Sequence, residues 1–310
     1  MRRATAVVAG TALAAAAAVT VTVATAGPAG TPGQGHRRSR PVTSYYLSLG
    51  DSLARGVQPD RAGASVPTDQ GYPDQLYAML HPGDPGLRLV KLGCAGETTS
   101  TMIRGGICSY PGGSQLAAAV RFLRAHPGRV SLVTIDIGAN DPDACVTHPS
   151  LSKIASCIGS AIPGTAGNLA KIMQELRAAG GSRLRIIGMS YYVPELATWR
   201  DGLAGQFLAR LSERLAAGLN DLLTSTYMTF GARVANVSGA FRSGDFTSQA
   251  AGPGLGTVPR NVALICSWTW ECAPPPRGPN EHANAAGYRV IASAFRRADS
   301  ADPAGGQSVG

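Results

Sequence analysis

Five short apolar, β-favouring runs, at 44–49, 87–92, 129–137, 184–189 and 233–237, recur along this chain, and stretches of helical period separate them. Strand-length runs that alternate with helices bury both of their faces only in a mainly parallel sheet covered by helices on either side. That pattern excludes an all-β or helix-bundle architecture and requires no second domain. A helix is expected over 73–80, where Pro73 suits a first helical position and His81-Pro82-Gly83 stops the run. Ser114 reads as the N-cap of a helix over 115–125, and Gly180-Gly181 ends another over 166–179. Two more are expected over 201–223 and 283–298; in the former Leu203, Phe207, Leu208, Leu211, Leu215 and Leu219 recur at helical spacing and read as a core face. Segments 56–68 and 238–279 read as irregular, and 142–160, with two cysteines, as an insertion stapled over one end of the sheet. No internal repeat is present.

The first run ends in Gly50-Asp51-Ser52, so Ser52 falls just past the carboxyl end of a strand, the edge where open α/β sheets bind ligands. Such a serine is a candidate nucleophile, although Asp51 or Ser52 could equally serve as a helix cap. Asp51 reads as a turn-stabilising residue. Two further strand ends carry turns of the same kind, Gly93-Cys94-Ala95-Gly96 and Gly138-Ala139-Asn140-Asp141, and His282 precedes the last helix. A serine hydroxyl attacks well only when a base takes its proton, and histidine can do so near neutral pH and then return the proton to the leaving alcohol. His36, His81, His126 and His148 neighbour loops or prolines and read as surface residues. Gly252, Gly254 and Gly256 lack the Lys-Ser/Thr ending of a phosphate loop.

These three turns and the late histidine resemble, in order, the motifs of the SGNH, or GDSL, hydrolase family over about residues 44–298. The resemblance implies Ser52 as nucleophile, His282 as base, and an oxyanion hole built from the Ser52 N–H, the Gly93 N–H and the Asn140 side-chain amide. The family usually places an aspartate three residues before the histidine; here Pro279 stands there. That departure points to a Ser–His dyad in which a backbone carbonyl, with Pro279 as candidate, holds the imidazole. Neighbouring Asn280 and Glu281 do not stand at the matching offset, and Glu271 could serve only if its loop folds back. The expected fold class is α/β: a three-layer, flavodoxin-like arrangement with a mainly parallel five-stranded sheet and helices on both faces.

Met1-Arg2-Arg3, the uncharged Ala/Val/Thr run 4–23 and Ala24-Thr25-Ala26 read as a signal peptide cleaved after Ala26, which implies export. Residues 27–43 read as a flexible leader, 44–298 as the hydrolase domain and 299–310 as a disordered tail. Cysteines occur at 94, 108, 145, 157, 266 and 272, and an even number in an exported chain suggests disulfides. Their arrival as close couples makes Cys94–Cys108, Cys145–Cys157 and Cys266–Cys272 the simplest of fifteen pairings. No Cys-x-x-Cys pair or cysteine–histidine cluster points to zinc, and neither metal nor cofactor is expected. The net charge of +9 falls to +7 without Arg2 and Arg3; only Lys91, Lys153 and Lys171 are lysines, and no basic run with interleaved aromatics suggests a nucleic-acid partner. The expectation is a secreted, monomeric esterase or lipase acting on lipids, small acyl esters or acylated polysaccharides, with no stable membrane insertion after cleavage. An O-acetylesterase of polysaccharides is the alternative within enzymes, and a non-catalytic carbohydrate- or surface-binding protein, with Trp268 and Trp270 for stacking, the alternative outside them.

Overall fold

The computed structural model describes residues 42–301 except 143–144 and 146–149. The expected signal peptide, most of the leader, His36, His148 and residues 302–310 lie outside the described residues. The five apolar runs form one parallel sheet: β1 (Ser44–Gly50), β2 (Leu87–Lys91), β3 (Val130–Asp136), β4 (Ile186–Met189) and β5 (Arg233–Ala235). Their spatial order is β2-β1-β3-β4-β5. Leu47 of β1 lies opposite Val90 on one side and Val133 on the other. Being covered on both faces, β1 and β3 bury successive residues, among them Tyr46, Leu47, Leu49, Leu132, Val133 and Ile135.

The helices are α1 (Ser52–Arg55), α2 (Tyr72–Leu80), α3 (Thr99–Arg104), α4 (Gln115–Ala125), α5 (Leu151–Gly180), α6 (Gly202–Thr229), α7 (Val237–Ala240), α8 (Arg260–Trp268) and α9 (Ala285–Ser300). Helix α2 packs on α9, with Tyr72 stacked on Phe295 at 4.6 Å between ring centres, while α4, α5 and α6 pack in succession. Because the chain leaves β1 in one direction to reach β2 and later returns on its other side to β3, a crevice opens at the carboxyl ends of β1 and β3. Three disulfides close, Cys94–Cys108, Cys145–Cys157 and Cys266–Cys272. None of the described helices is long and apolar enough to cross a membrane.

Four expectations are corrected. Helix α5 begins at Leu151, so most of the supposed insertion 142–160 is helix; Pro163 lies inside it, where it removes a single backbone donor. Leu203 and Phe207 are exposed, at 86% and 61%, and do not belong to the core. The close contact of α6 is made by small residues instead: a Cβ on Gly205 would lie 1.9 Å from the Thr198 carbonyl oxygen of the preceding turn. Segment 238–279 is not one loop but carries α7, a hairpin of Gln249–Gly252 with Gly256–Pro259, and α8. Its Gly, Pro and Cys content masked an amphipathic turn-and-helix pattern. Last, α9 continues to Ser300, and Asp299 pairs with Arg185 at 2.7 Å, so the ordered chain extends past 298.

Candidate active site

Gly50 turns the chain from β1 into α1 at φ 135°, and any side chain there would collide with Asp136, whose carbonyl oxygen would lie 2.2 Å from a Cβ. Asp51 then caps α1 by accepting the Leu53 N–H at 2.9 Å. The turn carrying Ser52 is thus held by backbone geometry and one carboxylate, with Ser52 half-buried at the first helical position.

Gly93 follows β2 and is drawn to this turn by two ladder bonds that outlast the strand, Leu92 N–H to Ser48 O at 2.8 Å and Cys94 N–H to Gly50 O at 3.0 Å. A Cβ at 93 would lie 2.6 Å from that of Ala54 and 2.9 Å from the Arg55 nitrogen. Close approach, rather than an unusual φ, therefore calls for glycine. Asn140 sits in the turn after β3, and its side-chain amide donates to the Glu97 carbonyl at 2.9 Å. One of its two N–H groups is thereby committed and its direction set; the second remains. Neighbouring Asp141 accepts the Thr99 N–H at 2.9 Å and the Thr165 hydroxyl at 3.0 Å, which ties the turn to α3 and α5.

Gln115, which pattern reading assigned only to a helix start, is fully buried and joins these pieces. Its Oε1 accepts the Gly50 N–H at 2.6 Å, while Nε2 donates to the Gly50 carbonyl and to the Glu97 carboxyl, both at 2.9 Å. Burial pushes the Glu97 carboxyl above its usual range. No local signal in the sequence could have marked Gln115, since its partner is 65 residues away.

His282 is buried, at 8% exposure. Its loop and the helix that follows, α9, are bound to the segment after α1 by Tyr288 OH to Val57 O at 2.8 Å, Trp270 Nε1–H to Gln58 Oε1 at 3.3 Å and Asn280 Nδ2–H to Ser65 Oγ at 3.0 Å. The imidazole Nδ1 lies 2.8 Å from Oδ1 of Asn280, which also accepts the His282 backbone N–H at 3.1 Å. A backbone nitrogen only donates, so the atom facing it is the amide oxygen, and the ring nitrogen facing the same atom carries the proton. Nε2 is left unprotonated. The expected contact from the Pro279 carbonyl is therefore replaced: Pro279 is exposed, and the Asn280 side chain turns back two residues on, as short polar side chains do in Asx-turns. Burial holds the His282 imidazole down at about 4, neutral at physiological pH.

Neither nearby glutamate reaches the ring. Glu281 presents its carbonyl to Tyr192 OH at 2.9 Å. Glu271 is half-buried, and burial, then the charges of Glu195 and Glu281, raise it to about 7 against the opposing pull of Arg200. Among the described residues, Ser52 Oγ and His282 Nε2 make no hydrogen bond, and no cluster of side chains suited to a metal ion occurs.

The family model of the GDSL-like lipase/acylhydrolase family matches residues 48–290, a span that runs from β1 through the histidine loop into α9. The chain belongs to this family. As a GDSL-type protein it is an ester hydrolase. Its fold is shared with an extracellular lipase from Streptomyces rimosus, at TM-score 0.56 and 18% identity over 83% of this chain and 100% of that one. A phospholipase A1 from Streptomyces albidoflavus aligns at 0.53 and 18%, covering 83% and 100%, and an acetylxylan esterase from Geobacillus stearothermophilus at 0.51 and 16%, covering 85% and 98%. No sequence among the curated proteins matches. At these identities the structural likeness of the GDSL hydrolase concerns the fold.

Proposed function

We propose that this GDSL hydrolase is a secreted, monomeric serine esterase or lipase that cleaves carboxylic esters through an acyl-serine intermediate. The observation that carries the reading is the tautomer of His282: with Nδ1–H held by Asn280, Nε2 is the basic atom, as proton removal from a serine requires. Ser52 attacks the ester carbonyl while its proton passes to Nε2. The oxyanion so formed is met by the N–H groups of Ser52 and Gly93 and by the free N–H of Asn140, donors whose directions are set beforehand and which need no reorganisation. The imidazolium then protonates the departing alcohol, and water, deprotonated by the same Nε2, releases the acid and restores Ser52. The amide oxygen of Asn280 stabilises the imidazolium less than a carboxylate would, so the oxyanion donors carry more of the rate enhancement.

Export is supported by the leader-like N-terminus and by three disulfides, which persist in oxidising compartments. Hydrolysis of p-nitrophenyl esters of graded chain length tests the reading. Wild type should turn over and Ser52→Ala should lose kcat by on the order of 10⁴-fold or more. A serine-directed phosphonate should label Ser52 alone. Preference for acetyl over longer chains would favour the polysaccharide O-acetylesterase reading, and normal turnover by Ser52→Ala would refute the nucleophile.

A further inference from the structure

Beneath the nucleophile turn, Asp51 and Asp136 bring two carboxyl groups together in the interior. They are 2% and 0% exposed, and Asp136 Oδ2 lies against the backbone of Asp51, 3.4 Å from its nitrogen. Among the described residues neither forms an ion pair. All four oxygens also accept from other groups. Asp51 takes the Leu53 N–H at 2.9 Å and the Tyr191 hydroxyl at 2.7 Å. Asp136 takes the Tyr72 hydroxyl at 2.5 Å on one oxygen and, on the other, the Ala54 N–H at 3.0 Å with the Asp51 N–H further off at 3.4 Å.

Ionised carboxylates only accept, so two of them buried side by side without a cation can bond one another only through a proton. Two like charges in contact and cut off from water cannot both persist. We infer that Asp136 is a neutral acid that donates its proton to Asp51, and that this singly charged pair is the positioning device for the turn carrying Ser52. The inference rests on the esterase reading for its kinetic consequence, but not for its protonation state. Both groups titrate in the sense it requires. Burial, followed by the charge of Asp51, raises Asp136 well above the carboxylate range, whereas burial raises Asp51 only to about 6 because the Leu53 N–H, Asp136 and Tyr191 bonds oppose it.

The phenols that face the pair, Tyr46 from β1, Tyr72 from α2, Tyr191 and Tyr192 after β4, Tyr227 from α6 and Tyr288 from α9, are all raised and stay protonated donors. The remaining charge acting on Asp51 is that of exposed Glu281. Once pH falls through about 6, a second proton reaches Asp51. The cap of α1 then loses its charge, and an O–H must be fitted where Leu53, Tyr191 and Asp136 already donate. The turn that aims the Ser52 hydroxyl and N–H loosens. Asp51 and Asp136 are thus positioning residues that act through Ser52.

Infrared difference spectroscopy on the whole chain at pH 8, where Glu271 is largely ionised, decides the protonation state without any turnover. A carboxylic-acid C=O stretch should be present in wild type and missing from Asp136→Asn. Its absence from wild type would overturn the inference, even if esterase activity were confirmed; its presence would uphold the pair even if no ester were found. Kinetics then test positioning. The wild-type kcat/KM should fall as pH drops through about 6, and Asp51→Asn should lack that fall. Asp136→Ala should lose at least about tenfold in kcat, with Asp136→Asn, which still donates to Asp51, recovering most of it. Equal losses in these two variants, both folded by circular dichroism, would refute the positioning role.

Discussion

Oδ1 of Asn280 lies 2.8 Å from Nδ1 of His282 and accepts the backbone N–H of the same histidine at 3.1 Å. One neutral oxygen therefore sets both the direction and the tautomer of the imidazole, two residues along the same loop.

Asn280→Ala should lower kcat by on the order of a hundredfold, because the ring is then free to rotate or to carry its proton on Nε2. Asn280→Asp places a carboxylate against Nδ1 and favours the imidazolium. The His282 titration, followed by NMR of its ring protons, should move upward from about 4. A midpoint unchanged in Asn280→Asp would mean that this contact does not govern the ring.

Glu271→Gln and Glu281→Gln should retain most of the wild-type kcat, since neither carboxyl is bonded to the imidazole and its Nδ1 is already satisfied. If either replacement were as damaging as His282→Ala in a folded protein, a carboxylate would have to complete a triad. Glu271→Gln should also gain stability relative to wild type as pH rises through about 7. A carboxyl whose folded titration is raised binds more protons folded than unfolded, so the wild type loses stability on ionising it.

His282 has the opposite sign. Its folded value, about 4, is below the ordinary 6.5, so the unfolded chain binds more protons between those limits and stability falls as pH falls from 6.5 toward 4. The difference corresponds to about 3 kcal/mol. Denaturant unfolding of wild type and His282→Gln should therefore show the variant gaining on wild type as pH is lowered across that window. A constant difference would show that the imidazole is not kept neutral by burial. Comparing the two proteins cancels the opposing contributions of Asp51 and Glu271.

Gly93→Ala should destabilise by about 1–3 kcal/mol and depress kcat, because its methyl would overlap both Ala54 and the backbone of Arg55. Ala54→Gly in the same chain relieves only the side-chain contact and should not restore the wild type; the backbone atoms, 2.9 Å away, remain. Full rescue, measured by thermal unfolding and by kcat, would mean that close backbone approach is not what glycine provides here.

The sheet and the turns that carry Ser52, Gly93 and Asn140 were legible from the chain alone because they are local. An apolar run of strand length, a glycine at its end and a polar residue just beyond it are written within a few positions, and alternation with helices leaves a parallel sheet as the way to bury them. The cysteine couples were legible for the same reason. Helix α8 and the N-terminal half of α5 were not: glycine, proline and cysteine interrupt the helical signal within α5, and α8 is a short run set among Gly- and Pro-rich flanks, while tertiary packing and a disulfide at each stabilise the helices regardless. Nor could the sequence show that Leu203 and Phe207 point outward while Gly205 makes the contact, because helical spacing specifies a stripe and not what it meets. The supports of the site belong wholly to the tertiary structure. Gln115 reaches Gly50 across 65 residues and Asp136 reaches Asp51 across 85, through buried polar contacts whose partners are set only when the strands and helices pack. Asn280 stands only two residues before His282, yet the motif offset pointed to position 279 and set 280 aside; which oxygen meets the imidazole was decided by the fold of the loop.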